Sequence, residues 1–179
     1  MGEKGTIYLI TGVPGVGKSS VGRALMRKFE FGFYLPIDDL REWVVSGMAH
    51  PVPVWTEETG RQFGIARRAA VEMARIYASE GFAVAIDDVM LPGQGEEVFA
   101  SKLEGFEVRK VFLWAELEVN QARNRDRTGK NFDTAELVWL IDGLHGWMMP
   151  KEYAEAGWLV VDSTKLGLEE TVEVVVASG

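Results

Sequence analysis

Residues 6–20, TIYLITGVPGVGKSS, decide the reading of this chain. Thr6 to Thr11 is a β-branched and apolar run that stops at a glycine, which predicts a buried strand. Gly12-Val13-Pro14-Gly15-Val16-Gly17-Lys18-Ser19 then matches G-x-x-x-x-G-K-[ST]. Glycines let a backbone wrap an anion and turn its N–H groups inward, and the helix that follows adds its positive N-terminal end. Lys18 is spaced to reach the β- and γ-phosphates of a nucleoside triphosphate, and the Ser19 hydroxyl is a hard oxygen suited to Mg²⁺. Gly12 through Ser20 is therefore the candidate nucleotide-binding segment. A chain of this length and ordinary glycine content matches such a pattern by chance on the order of one time in a hundred. Here the match also lies between a strand and a helix, the context that its chemistry requires.

Outward from the loop, strand and helix patterns alternate. Lys18 to Lys28 carries Val21, Ala24, Leu25 and Phe29 at helical spacing. Phe33 to Ile37 reads as a second strand, closed by Asp38 and Asp39, with a short helix around Leu40 to Ser46 and a proline- and glycine-rich loop, Gly47 to Pro53. Glu57 to Glu80 is a long helix ending at Gly81, a suitable C′ glycine. Ala83 to Asp87 is nearly pure apolar and predicts a central strand buried on both faces. Glu107 to Trp114 and Trp158 to Val161 supply two more strands, each followed by a helical pattern. Gln94 to Glu97 and Lys130 to Phe132 read as surface loops. Five strands separated by helices imply a parallel α/β sheet with right-handed crossovers and helices on both faces. No linker or repeat divides residues 1–179, so one domain is expected.

Composition bounds the partners. The 179 residues are 47% apolar and 26% charged, which is globular rather than disordered composition. The absence of cysteine excludes disulfides, thiolate catalysis and cysteine zinc sites. A net charge of −8 opposes long contact with a nucleic-acid backbone. No apolar run is long enough for a membrane helix and no signal-peptide core follows the start, so cytoplasmic is the default location. The opening MGEKGT fits a myristoylation pattern, read here as accidental because the first strand begins at Thr6.

The class of phosphate-loop protein follows from what accompanies the loop. A GTPase should carry an Asn-Lys-x-Asp-like base reader, and Thr164-Lys165-Leu166-Gly167 lacks the carboxylate. A motor or AAA-type ATPase needs a longer chain, and its strand would end Asp-Glu rather than Asp87-Asp88. A small kinase remains: it needs a carboxylate beside an acceptor hydroxyl, a metal site, and cations over the transferring oxygens. Asp38 and Asp39 close the second strand at the carboxyl edge, where open α/β sheets bind ligands. Asp38 is the candidate base and Asp39 a cap or partner, the plain alternative being a helix N-cap. Asp87 and Asp88 end the third strand at the same edge. They could hold Mg²⁺ through water or bond the acceptor, or simply form a solvated turn before Pro92. Arg123 and Arg127, four apart, precede Thr128-Gly129-Lys130 and suit a lid closing over ATP at about residues 123–133. The alternative there is a surface ion cluster with Asp126.

Together the loop GVPGVGKSS, the segment FGFYLPIDDLRE, the strand FAVAIDD and RNRDRTGK resemble the polynucleotide-kinase-like and chloramphenicol-phosphotransferase-like phosphate-loop kinases, a zeta-toxin-like group with an AAA-type ATP-binding fold. The resemblance implies a nucleoside-monophosphate-kinase-like sheet of strand order 2-3-1-4-5. It also implies ATP and Mg²⁺ as cofactors, the metal falling to Ser19 and Asp87, with Asp38 as general base and Lys18, Arg123 and Arg127 as catalytic cations. The resemblance makes Arg41 an acceptor contact, and the chain's own pattern adds Asp39, Asp87 and Asp88 as candidate acceptor contacts. In the phage polynucleotide kinase the second strand likewise ends Asp-Asp-x-Arg, and its arginine contacts the acceptor's phosphate. In related kinases the turn after the last strand lies near adenine, which implicates Ser163 and Thr164. The chain departs from the polynucleotide enzyme at Asp87-Asp88-Val89, where that enzyme has Asp-Thr-Asn. The expected activity is phosphoryl transfer to the hydroxyl of a small molecule of sugar, nucleoside or antibiotic type. A polynucleotide 5′-kinase and a regulatory ATPase are the alternatives.

Other features read as structural, or as walls. Arg61, Arg68 and Arg75 recur every seven residues, with Glu57 to Arg61 and Arg68 to Glu72 at salt-linking spacing on a solvated face. His50 and His145 lack metal-ligand spacing. Trp139, Gly143 and Trp147 are expected to pack in the core. Trp43 and Trp55 flank the Gly47 to Pro53 loop and could wall an acceptor pocket.

Overall fold

The computed structural model describes residues 3–125 and 138–178. Strand β1 (Ile7–Thr11) is followed by the loop and helix α1 (Lys18–Met26), then β2 (Gly32–Pro36), α2 (Ile37–Glu42), α3 (Glu57–Ser79) and β3 (Ala83–Asp87). After β3 come a π-helical turn (Gly95–Phe99) and a 3₁₀ turn (Ala100–Lys102), then β4 (Val108–Trp114), α4 (Leu117–Arg125), α5 (Val138–Trp147), α6 (Pro150–Glu155), β5 (Leu159–Asp162) and α7 (Leu168–Ala177). The strands form one parallel sheet of order β2-β3-β1-β4-β5, the expected winding. Every residue of β1 and β3 is buried, which is why these two segments are apolar without alternation.

Neighbouring residues of a strand face opposite sides, and β2 makes this visible. Phe33 stacks on Tyr77 of α3, with ring centroids 3.8 Å apart, whereas Tyr34 lies under Arg23 of α1 at 4.4 Å. Helix α1 therefore covers one face and α3 the other. Phe112 on β4 stacks at 3.8 Å on Tyr153 of α6, below which Tyr153 donates its hydroxyl to Met90 O at 2.6 Å. Thr11 brackets the same segment, accepting from Met90 N at 2.8 Å. These contacts tie the chain leaving β3 to the end of β1, and so bring Asp87 and Asp88 beside the glycine loop.

Three local expectations change. Helix α2 begins at Ile37, not Leu40, because Ile37 and Arg41 share a buried face four residues apart. Its N-cap is Pro36, so Asp38 and Asp39 lie inside the first turn and neither is the cap. Gln94 to Glu97 is not an open loop: the π-helical turn there leads into Phe99 and Leu103, both fully buried. Trp139 and Trp147 are not core residues, being 54% and 71% exposed. Helix α5 buries Ile141 and half-buries Leu144 and His145, a narrow stripe that leaves 139, 143 and 147 on the opposite side.

The Phe112–Tyr153 stack is buried on both sides, and truncation leaves a cavity between β4 and α6. Phe112→Ala should lower unfolding free energy by about 3–5 kcal/mol in urea denaturation. A loss below about 1 kcal/mol would show that this layer does not hold the two halves of the sheet together.

Candidate active site

Parallel winding brings the carboxyl ends of all the strands to one edge, and most of the described residues that the sequence selects lie there. The backbone reaches positive φ at Gly12, Gly15 and Gly17. At Gly12 the need is also steric, since a Cβ would lie 2.4 Å from Leu113 O of the adjacent strand. Gly17 is the N-cap of α1 and offers no side-chain cap, so the first amides of the helix point into the loop. The Lys18 ammonium donates to Gly12 O at 2.9 Å and Val13 O at 3.3 Å, folding back across the loop that it would serve.

Ser19 donates its hydroxyl to Asp87 Oδ2 at 3.0 Å, and the Tyr34 hydroxyl donates to the same oxygen at 2.5 Å. Burial, and then the Asp87 charge, pushes the Tyr34 phenol far above its ordinary value, so its proton stays in place as a donor. Ser19 and Asp87 place hard oxygens side by side at the end of the loop. Among the described residues no three His, Cys, Asp or Glu side chains group together. This donor set fits Mg²⁺, which is bound through one or two protein oxygens together with phosphate oxygens and water.

Asp88 is buried, not a solvated turn. Arg67 donates Nε to Asp88 Oδ2 at 2.6 Å and Nη2 to Val89 O at 3.3 Å, while Val89 N donates to Asp88 Oδ1 at 2.8 Å. Burial outweighs the Arg67 guanidinium and, with a smaller push from Asp38, raises the Asp88 carboxyl to about 6. Asp38 itself is exposed on the first turn of α2, with Oδ1 4.0 Å from Arg41 Nη1. Arg41 is 3% exposed: its guanidinium lies 3.8 Å from the Phe63 ring centre and donates to Ala49 O. The ring of Trp55, 57% exposed, stacks on Phe63 at 5.0 Å. Gln62 donates to Gly47 O at 2.7 Å and accepts from Ala49 N at 2.9 Å, so the loop after α2 is pinned over this layer. Asp38, Arg41, Phe63, Trp55, Arg67 and Asp88 thus form one continuous group beside the phosphate loop, with Asp39 half-buried next to it.

Arg123 reaches across the other side of the loop, donating to Val16 O at 3.2 Å, Ser163 Oγ at 3.0 Å and Ser163 O at 2.8 Å. It joins the phosphate loop to the turn after β5. Thr164 in that turn accepts from Glu116 N at 3.0 Å. Arg127 and most of the expected lid lie outside the described residues. His145 contacts Ala115 O at 2.9 Å, in keeping with a structural role. On α3 the ion pair is Arg61 with Glu58, at 2.7 Å, instead of Glu57, and Arg75 donates to Lys102 O. Among the described residues Arg68 and Glu72 form no ion pair. Tyr34, Phe63 and Arg67 escaped the sequence reading. A signal existed for Arg67, because it stands four residues from both Phe63 and Val71, on the buried face of α3 and not with Arg61 and Arg68.

A family model described as an AAA domain matches residues 7–140, and the chain belongs to that family. No protein of curated function matches the sequence. Among solved structures, a gluconokinase from Sinorhizobium meliloti 1021 superposes with a TM-score of 0.67 at 22% identity, over 99% of this chain and 92% of that one. The tunicamycin resistance protein of Deinococcus radiodurans gives 0.64 at 17%, over 98% and 95%. The Mycobacterium tuberculosis APS kinase CysC, in complex with AMPPNP and APS, gives 0.63 at 18%, over 98% of both chains. The fold is therefore that of the small phosphate-loop kinases. Among the described residues no helix is long and apolar enough to cross a membrane.

Asp88 has a folded pKa of about 6 against an ordinary 3.8, so the folded chain binds its proton more tightly than the unfolded chain does. Its contribution to stability therefore falls as pH rises from about 4 to 6. Asp88→Asn lacks that slope. The stability difference between variant and wild type should shift toward the variant by on the order of 2–3 kcal/mol between pH 4 and pH 7 in urea titrations. Parallel pH profiles would contradict this assignment of the Asp88 proton.

Proposed function

We propose that the chain is an ATP- and Mg²⁺-dependent phosphotransferase that moves the γ-phosphoryl group to a hydroxyl of a small molecule of sugar, nucleoside or antibiotic type. The observation that carries this reading is the Ser19–Asp87 hydrogen bond beneath a glycine loop that opens a helix, with the exposed carboxylate of Asp38 on the same sheet edge. Loop amides and the N-terminus of α1 bind the phosphates. When bound, Mg²⁺ would offset phosphate charge, and Ser19 and Asp87 are the residues to hold it. Lys18 leaves its own loop carbonyls and takes up charge on the transferring oxygens. Asp38 accepts the proton of the acceptor hydroxyl as that oxygen bonds to the γ-phosphorus and the bond to the β–γ bridging oxygen breaks, releasing ADP. Asp39 stands beside the base. Arg123 steadies the loop against the Ser163–Thr164 turn on the nucleotide side, and Arg127 is assigned to the lid.

The acceptor is assigned to the space over Asp38 and Trp55, with Asp88 and Arg67 fixing its far side. A small acceptor is favoured by the fold's neighbours, which include a gluconokinase and an APS kinase. The polynucleotide alternative leaned on Arg41 as a phosphate contact. Arg41 is buried and engaged with Phe63 and Ala49, which weighs against that reading.

Asp38→Asn should retain nucleotide binding by calorimetry and lower turnover by roughly 10²- to 10⁴-fold, the range for a lost general base. Lys18→Ala should lower turnover about 10²- to 10³-fold. The assay is ATP consumption coupled to acceptor phosphorylation across a panel of sugars, nucleosides and antibiotics. Wild-type turnover in Asp38→Asn would remove that residue from the base role. Nucleotide hydrolysis with no acceptor phosphorylated would favour a regulatory ATPase.

A further inference from the structure

Tyr34 belongs to no part of the phosphate-loop pattern, yet its hydroxyl lies at the centre of the site. One carboxylate oxygen, Asp87 Oδ2, accepts from two hydroxyls that arrive from different elements: Ser19 from α1 at 3.0 Å and Tyr34 from β2 at 2.5 Å. Two donors match the two lone pairs of that oxygen and fix the plane of the carboxylate. The other oxygen, Oδ1, takes no hydrogen bond from the described residues. Ser19 can keep this bond while it offers a lone pair to a cation, since a hydroxyl has one proton and two lone pairs. A single donor leaves the carboxylate free to swing about that bond, and Tyr34 supplies the second point of attachment.

The surroundings of the ring are built to receive it. Gly22 lies inside α1, where glycine is about 1 kcal/mol worse than alanine. A Cβ at that position would meet Tyr34 Cε2 at 2.7 Å and Cδ2 at 2.9 Å. Arg23 closes over the ring, its Cζ 4.4 Å from the centroid. Packing alone would be met equally well by phenylalanine, so the phenol oxygen needs a reason of its own, and Asp87 provides it.

We propose that Tyr34 is a positioning residue for the divalent cation: its hydroxyl orients Asp87 so that the Ser19–Asp87 pair presents one preorganised set of oxygens. The inference rests on the Mg²⁺–nucleotide reading above. It assigns to Tyr34 a role through Asp87, without contact with substrate. Outer partners of this kind typically change metal affinity by about 10- to 100-fold.

Tyr34→Phe removes one oxygen and keeps the ring against Gly22 and Arg23. Mn²⁺ binding by the full chain with saturating AMPPNP would be followed by electron paramagnetic resonance, and AMPPNP binding in EDTA by calorimetry. The expected result is a Mn²⁺ dissociation constant raised about tenfold or more. Metal-free nucleotide affinity should stay within about twofold, because the loop amides are untouched. A role in packing alone would lower the melting temperature and leave the Mn²⁺ constant unchanged, and that result overturns the proposal. Equal loss of Mn²⁺ and metal-free nucleotide affinity overturns it as well, since the effect would then lie in the loop. Gly22→Ala, which displaces the ring and retains the hydroxyl, should weaken Mn²⁺ in the same selective way, and supplies the test if Tyr34→Phe folds poorly. Wild-type chain that binds nucleotide but shows no Mn²⁺ sites would sink the metal-dependent mechanism itself, a different failure from wild-type-like behaviour of Tyr34→Phe.

Discussion

A carboxylate at the end of a fully buried central strand has to be satisfied by neighbours, and Asp87 is satisfied by hydroxyls from the elements on either side. Asp87 pairs in register with Ile10 of β1 and Pro36 of β2, so it stands between the strand that leads into the glycine loop and the strand that leads into Asp38. Its hydrogen bonds to Ser19 and Tyr34 join α1, β2 and β3 at one point. The distances that matter to a phosphoryl-transfer site are set around this junction. Winding the sheet parallel places the junction at an edge, where it is buried from below and open above.

On the nucleotide side, the backbone does most of the work. Glycines allow a curvature that side chains would block, as the approach of Gly12 to Leu113 O makes plain. Lys18 and Arg123 satisfy carbonyls of the same loop from opposite directions. Around Phe63, where the acceptor is proposed to bind, the opposite holds and side chains build the surface. Two guanidiniums, Arg41 and Arg67, lie 3.8 Å and 5.4 Å from the centre of the Phe63 ring, one reaching the loop after α2 and the other Asp88. Charge that would repel if solvated weakly is spread over an aromatic face and compensated by carboxylates.

The amino-acid sequence by itself determined the parallel sheet, its helices and the nucleotide loop, because these follow from local periodicity and from a motif whose chemistry lies within a dozen contiguous residues. It also marked Asp38 and Asp87, since acidic groups after apolar runs are visible one segment at a time, and Ser19, since it belongs to the loop motif. What only the tertiary structure decided is which distant groups share an atom: Tyr34 with Ser19 on one oxygen of Asp87, Arg67 with Asp88, and Arg123 with Val16 and Ser163. The burial of Asp88 and the exposure of Trp139 were likewise out of reach, because burial depends on what packs from elsewhere in the chain. Periodicity reports the shape of an element and which of its faces is apolar. The partner that meets a polar side chain is fixed only when the strands are brought side by side.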